Sequence, residues 1–211
     1  LMHKRFGVKS AKELNGAEIC VQSGTTNEKN LSTYLGTQGI KAKAIVYDNF
    51  EAAYKAFFSG RCQAFSTDVS ALIGLKTSQS GQPDDYVVLP EVFSKEPLGP
   101  AVQRGDDEFF AIVKWVVFAM IEAEELGVGK VNLEQALAGK NPALQRLLGG
   151  AEDLGKPLGL PKDWVVKVLQ QVGNYGEVFD ANLGKQSPLK LERGLNALWT
   201  QGGLMYAPPL R

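Results

Sequence analysis

Cys20-Val21-Gln22-Ser23-Gly24-Thr25-Thr26-Asn27-Glu28 is the stretch that decides how the first part of this chain folds. Just upstream, Ala17, Ile19 and Val21 alternate in the manner of a buried strand. Just downstream, Leu31-Ser32-Thr33-Tyr34-Leu35 reads as helix. Thr25 and Glu28 stand at capping-box spacing, so the strand feeds a tight Gly-Thr turn that opens directly into the helix. The first N–H groups of such a helix lack internal acceptors and carry partial positive charge. The turn is therefore a small anion site, suited to a carboxylate or a phosphate. Turns of this kind occur in many α/β domains, and the same residues equally fit a capped helix that binds nothing.

Working outward, Ser10 and Glu13 form a second capping-box pair and predict a short helix to about Asn15-Gly16. A strand is expected at 42–47, and Asp48 with Glu51 predicts the start of a helix over 51–59 that ends at Gly60. A strand over 63–66 runs into Thr67-Asp68, a helix covers 69–76, and a strand at 86–89 is stopped by Pro90. Strands alternating with helices predict an α/β fold, with a parallel or mixed sheet flanked by helices, over residues 1–98. From residue 99 to 211 the pattern is mostly helical. One helix carries Phe109, Phe110, Val113, Trp115, Val116, Val117, Phe118 and Ile121, apolar on more than one face. Residues 133–148 hold one or two helices broken at Asn141-Pro142. Pro161 opens a helix reaching Phe179, and Ser187-Pro188 opens a last one through Leu191, Leu195, Leu198 and Trp199, ending at Gly202-Gly203.

The chain has 211 residues, with 23 basic and 23 acidic side chains. A balanced charge provides no basic field for nucleic acid, and none is expected as a partner. The strongest apolar run, Trp115 to Ile121, is too short to span a bilayer. The opening Leu1-Met2-His3-Lys4-Arg5 does not read as a signal peptide, so either a targeting segment has been removed or the protein is not exported. Two cysteines, Cys20 and Cys62, and one histidine, His3, do not make a zinc site, and no metal or cofactor is expected. The cysteines fit either a disulfide in an oxidising compartment or two buried thiols. Neither lies in a nucleophile motif, there is no Walker-type phosphate loop, and catalysis is not expected.

Several motifs along the chain together resemble the periplasmic binding proteins of polar amino-acid ABC transporters, within them the general L-amino-acid subgroup. They are Gly7-Val8-Lys9-Ser10-Ala11-Lys12-Glu13-Leu14, Cys20 to Thr26, Gly60-Arg61-Cys62, Ser66-Thr67-Asp68 and Ser94 to Pro100. Further on come Gly173-Asn174-Tyr175-Gly176-Glu177, Glu192 to Trp199 and Gly202 to Pro209. The resemblance implies a type II periplasmic-binding-protein fold, with ligand held between two α/β lobes. Residues 1–98 would be the second lobe, and 99–211 the helical region that returns to the first lobe. Most of the first lobe has no counterpart in this sequence.

By the same resemblance, Asp68 would pair with the ligand ammonium, Thr25 and Thr26 would contact the ligand from the helix N-terminus, and Gln22 would meet its side chain, with Ser23 beside it. An N-cap role for Asp68 fits the same residues. The arginine that clamps the ligand carboxylate belongs to the first lobe, and Arg61, Arg104 and Arg193 have no motif support for that role. Half of the binding shell is therefore missing, and a wet half-cleft should bind weakly or not at all. The implied function is non-catalytic capture of a polar L-amino acid for an ABC permease in the periplasm, the compartment that suits a Cys20–Cys62 bridge. The alternative is a shortened module that has lost amino-acid binding and acts by oligomerising or binding a partner. The apolar helix after residue 105, deprived of the first lobe's sheet, predicts a homo-oligomer through that face.

Overall fold

The computed structural model describes residues 1–210 and divides into two compact units, Leu1–Leu98 and Gly99–Arg211. The first unit is an α/β layer with a five-stranded mixed sheet. Its strands are β1 (Met2–His3), β2 (Glu18–Gln22), β3 (Lys43–Tyr47), β4 (Ala64–Phe65) and β5 (Tyr86–Val87), in the spatial order β3-β2-β4-β1-β5. Strand β2 pairs in parallel with β3 and β4, whereas β1 is antiparallel to both β4 and β5. The register sets Cys20 opposite Ile45 on one side and Phe65 on the other.

The period-two alternation of β2 has a direct structural reading. Ile19 and Val21 point into a core with Leu31 and Leu35 of α1 (Thr26–Gln38). Cys20 points the other way, toward Ala53 and Phe57 of α2 (Phe50–Phe58) and Leu72 and Leu75 of α3 (Val69–Gln79). The central strand is thus covered on both faces, as a largely parallel sheet requires.

Three details differ from the sequence expectations. Helix α2 is capped by Asn49, whose side chain accepts the Ala52 N–H at 2.9 Å, rather than by Asp48. Either residue type can cap, and the chain enters the helix one residue later than the Asp48/Glu51 spacing suggests. Ser10 caps only a 3-10 turn, Ala11–Glu13, by accepting the Lys12 N–H at 3.2 Å, while its hydroxyl and the Ala11 N–H both donate to Glu91. Strands β4 and β5 are shorter than their apolar runs.

Glu91 holds the end of the first unit to its beginning. Its carboxylate accepts from the Ser10 hydroxyl and the Ala11 N–H. Burial would raise this carboxyl, but those two donors, with Lys12 nearby, hold it below the ordinary carboxylate range. A depressed pKa means a contribution to stability that is present above the unfolded value of 4.5 and fades as pH falls toward the folded value. Glu91→Gln should therefore cost about 1 kcal/mol at pH 7 and progressively less below pH ~4.5, read as urea midpoints across pH. Equal midpoint differences at pH 7 and pH 3 would refute the assignment.

The second unit is helical: α4 (Asp107–Glu125), α5 (Leu133–Ala138), α6 (Pro142–Leu147), α7 (Trp164–Gln171) and α8 (Tyr175–Asn182). The run from Pro161 to Phe179 is not one helix. Gly173 turns with φ 86°, and an Asn174/Glu177 capping box restarts the chain as α8. The helix expected from Ser187 is absent as well. The Ser187 hydroxyl accepts the Leu189 N–H at 3.1 Å, Lys190 and Gly194 take left-handed φ values of 51° and 49°, and only 3-10 turns follow at Gly194–Asn196 and Trp199–Gln201. The apolar spacing there is not a buried stripe, since Leu198 is buried while Leu195 and Trp199 are 67% and 50% exposed. A turn closes instead, with the Trp199 N–H on the Met205 carbonyl and the Met205 N–H on that of Ala197. Gly203 is required in it, because a Cβ there would lie 1.8 Å from the Ala197 carbonyl oxygen.

This unit also covers much of the apolar face of α4. Trp115 and Val116 pack on a core containing Val128, Leu133, Trp164 and Leu169. Ile121 is buried with Leu198 and Ala207, and Val117 and Phe118 lie against the same cluster. Phe109 and Phe110 remain about half exposed, at 51% and 52%. Of the face on which self-association was expected, Ile121 is buried and Val113, Trp115, Val116, Val117 and Phe118 are partly buried. Among the described residues no helix is long and apolar enough to cross a membrane.

Candidate functional site

The crevice follows from topology. β2 and β4 are adjacent and parallel, but β2 leads through α1 to β3 on one side, whereas β4 leads through α3 to β5 on the other. The two helices lie on opposite faces of the sheet, so the chains part where the strands end. A break of this kind is where open α/β sheets bind ligands, outside the carboxyl ends of the strands. Gln22, Ser23, Thr25 and Thr26 form one lip, and Thr67 and Asp68 the other.

On the first lip, Thr25 is the N-cap of α1. Its Oγ accepts the Glu28 N–H at 3.2 Å, and its hydroxyl donates to the Gln22 carbonyl at 2.8 Å. Glu28 does not return to Thr25 as a full capping box would. Its carboxylate accepts the Gly24 N–H at 2.7 Å, one residue earlier. The N–H groups of Thr25, Thr26 and Asn27 are left without an acceptor among the described residues. They make up the positive end of a helix of 13 residues.

On the second lip, Asp68 stands at the N-cap position of α3 with extended backbone, yet its side chain makes no capping bond. Its Oδ1 instead accepts from Asn27 Nδ2 at 3.3 Å, and the same nitrogen lies 3.5 Å from Thr67 Oγ1. Asn27 therefore joins the lips. Sequence reasoning passed over it, although it lies inside the opening stretch. A neutral amide in the first turn beside two threonines was the available signal, but no spacing rule connects residue 27 to residue 68.

The side-chain hydrogen bonds of these residues involve no lysine or arginine. The crevice presents a carboxylate to a cation, amide N–H groups to an anion, and neutral hydroxyl and amide groups between them. That set fits a zwitterion and contains no nucleophile paired with a base. Among the described residues no group of three His, Cys, Asp or Glu side chains is placed to hold a metal.

Cys20 and Cys62 are bonded to each other, with Cα atoms 5.7 Å apart. Both are buried on the α2 face, so the bridge ties β2 to the segment entering β4 and is not part of the crevice lining. Of the arginines weighed from sequence, Arg193 is committed elsewhere. Its Nη1 and Nη2 donate to Glu124 at 2.9 and 3.1 Å.

No family model matches the chain. Curated relatives do. The general L-amino acid-binding periplasmic protein AapJ of Rhizobium johnstonii is 47% identical over the whole chain, which spans 62% of that relative. The glutamate/glutamine/aspartate/asparagine-binding protein BztA of Rhodobacter capsulatus is 47% identical, and the putative amino-acid ABC transporter-binding protein YhdW of Escherichia coli 46%, with the same coverage. Among solved structures, an ABC transporter periplasmic binding protein from Brucella ovis with glutathione bound superposes with a TM-score of 0.94 at 44% identity, over all of this chain and 66% of that one. Over its whole length the chain is thus similar to periplasmic amino-acid-binding proteins of ABC transporters, and it spans 62% of the length of those relatives.

Proposed function

We propose that the first unit is one side of a cleft that captures a polar L-amino acid, and that the protein works as the solute-binding component of an ABC transporter in the periplasm, delivering its ligand to a permease without chemical change. The observation that carries this is the meeting of two complementary groups at the crevice. The uncapped N–H groups of α1 offer a site for a carboxylate. The Asp68 carboxylate, not spent on capping α3, is available to an ammonium. Thr25 and Thr26 would receive the ligand at the helix end, while Gln22 and Ser23 would meet its side chain.

The names of the relatives support the same chemistry. One is described as a general L-amino acid binder, another as binding glutamate, glutamine, aspartate and asparagine. The structural neighbour holds glutathione, whose γ-glutamyl end carries the same α-amino and α-carboxylate pair. A site that grips this head group and leaves the side-chain direction polar suits all of them. Pairing of two copies through α4 is no part of this reading, since Ile121 and its neighbours are covered from within the unit.

The test is an NMR titration, which reads weak as well as tight binding, with L-Glu, L-Gln, L-Asp, L-Asn and glutathione. Shifts should centre on the amides of 24–28 and 67–70. Asp68→Asn should weaken binding by about tenfold or more, the usual loss when a charged hydrogen-bond partner is neutralised. Absence of any shift at those amides, with every ligand, would sink the proposal.

A further inference from the structure

We infer that Asn27 is a positioning residue: it holds the Asp68 carboxylate across the crevice and away from the helix that Asp68 would otherwise cap. The inference rests on the amino-acid-binding reading of the crevice and deepens it. An aspartate at an N-cap normally turns its carboxylate onto the N–H of the second or third helical residue, here Ser70 or Ala71. In this structure that bond is absent. The contact Asp68 makes instead is with Asn27 Nδ2, from the opposite lip. The same nitrogen lies near the Thr67 hydroxyl, so one amide group addresses two adjacent residues of the facing loop.

Asparagine suits this task for a reason of charge. A lysine or arginine at residue 27 would neutralise Asp68 and compete with a ligand ammonium. An aspartate would repel it. A neutral amide donor orients the carboxylate and leaves its charge available to a ligand. Asn27 is also in the first turn of α1, whose N–H groups form the other half of the crevice. One side chain therefore fixes the distance between the group offered to an anion and the group offered to a cation. An α-amino acid holds its two charges at a fixed short separation, so this distance is a selective property of the site.

The test uses Asn27→Leu, which keeps the branching at Cγ and removes the donor, with Asn27→Gln as the variant that retains an amide. Three quantities are read on the whole chain: affinity by the NMR titration, thermal midpoint, and hydrogen-exchange protection of the Ser70 and Ala71 amides without ligand. Freed from Asn27, Asp68 should turn back and cap α3. Protection at Ser70 and Ala71 should then rise, the thermal midpoint should hold or rise, and amino-acid affinity should fall about fivefold. Asn27→Gln should recover part of the affinity. A merely structural residue cannot raise local protection while lowering affinity. The inference is overturned if Asn27→Leu binds like the unaltered protein, or if affinity, midpoint and protection all fall together. In either case an Asp68→Asn variant that still loses binding leaves the proposed function standing. Binding unaffected by Asp68→Asn would instead remove that reading, and the role of Asn27 with it.

Discussion

Replacing Cys20 and Cys62 together by serine lowers the stability of the first unit by about 4 kcal/mol, the chain-entropy value for a loop of this size. The two residues are 42 apart in sequence, so the bridge restricts the unfolded chain over β2, α1, β3 and α2. Both sites are also in the core, at 0% and 3% exposure, so serine adds the cost of burying two hydroxyl groups without designed partners. A domain of ordinary stability has only about 5–15 kcal/mol in hand, so the loss takes a large share. The measurement is guanidinium unfolding followed by far-UV circular dichroism, with and without reductant. Trp115, Trp164 and Trp199 all belong to the second unit, so tryptophan fluorescence does not report on the first. Adding reductant to the unaltered protein should move the circular-dichroism midpoint in the same direction as the substitutions. An unchanged midpoint in both cases would mean that native packing alone holds β2 against β4.

Arg193→Met is the second large effect, expected at about 3 kcal/mol, the low end for breaking a buried ion pair. The figure is kept low because the two side chains are still 20% and 13% exposed, and solvent screens part of the pairing. Arg193 does more than meet Glu124. Its Nε and Nη2 donate to the Asn196 carbonyl at 3.1 and 2.7 Å. Its guanidinium also lies over the rings of Tyr175 and Phe179, at 5.4 and 5.2 Å. The residue thus joins α4, α8 and the turn that replaces the expected last helix. Methionine keeps the apolar stem but leaves the mostly buried Glu124 carboxylate without its guanidinium partner. Adding Glu124→Gln to Arg193→Met should restore about half of the loss, because the orphaned charge is removed. Tryptophan fluorescence in urea reads this unit directly. A double variant no more stable than Arg193→Met would show that the cost arises from the Asn196 and ring contacts instead.

The first unit was largely legible in its sequence, and the reasons are local. The alternation of Ile19, Cys20 and Val21 gives β2 with its two buried faces, and Thr25 announces the start of α1. The mixed sheet flanked by helices follows from the order of these signals. What sequence did not supply was the partner of each cap. Glu28 accepts from the neighbouring Gly24 rather than from Thr25, and at Ser10 the carboxylate of Glu91, an acceptor 80 residues beyond Ala11, takes the Ser10 hydroxyl and the Ala11 N–H. Asn27 eluded a sequence reading for the same reason: its role depends on β4 lying beside β2. In the second unit, Leu191, Leu195 and Leu198 have helical spacing, but the backbone bonds that a helix would use are replaced by contacts from Arg193 and Met205. Propensity was outvoted there by tertiary partners.

The antiparallel strand β1 bears on how the first unit is assembled. It sits inside the sheet, between β4 and β5, although it precedes the other four strands in sequence. Its neighbour Leu1 donates to the Phe65 carbonyl, a contact between residues 64 apart, whereas the Asn15–Lys41 contact at the end of the β2–β3 pair spans 26. Closing the longer loop costs more chain entropy before any contact rewards it. The β2-α1-β3 segment is thus the natural place for folding to start, and β1 threads between strands that must already be near one another. A nascent chain would hold β1 unpaired until β4 and β5 had both been synthesised.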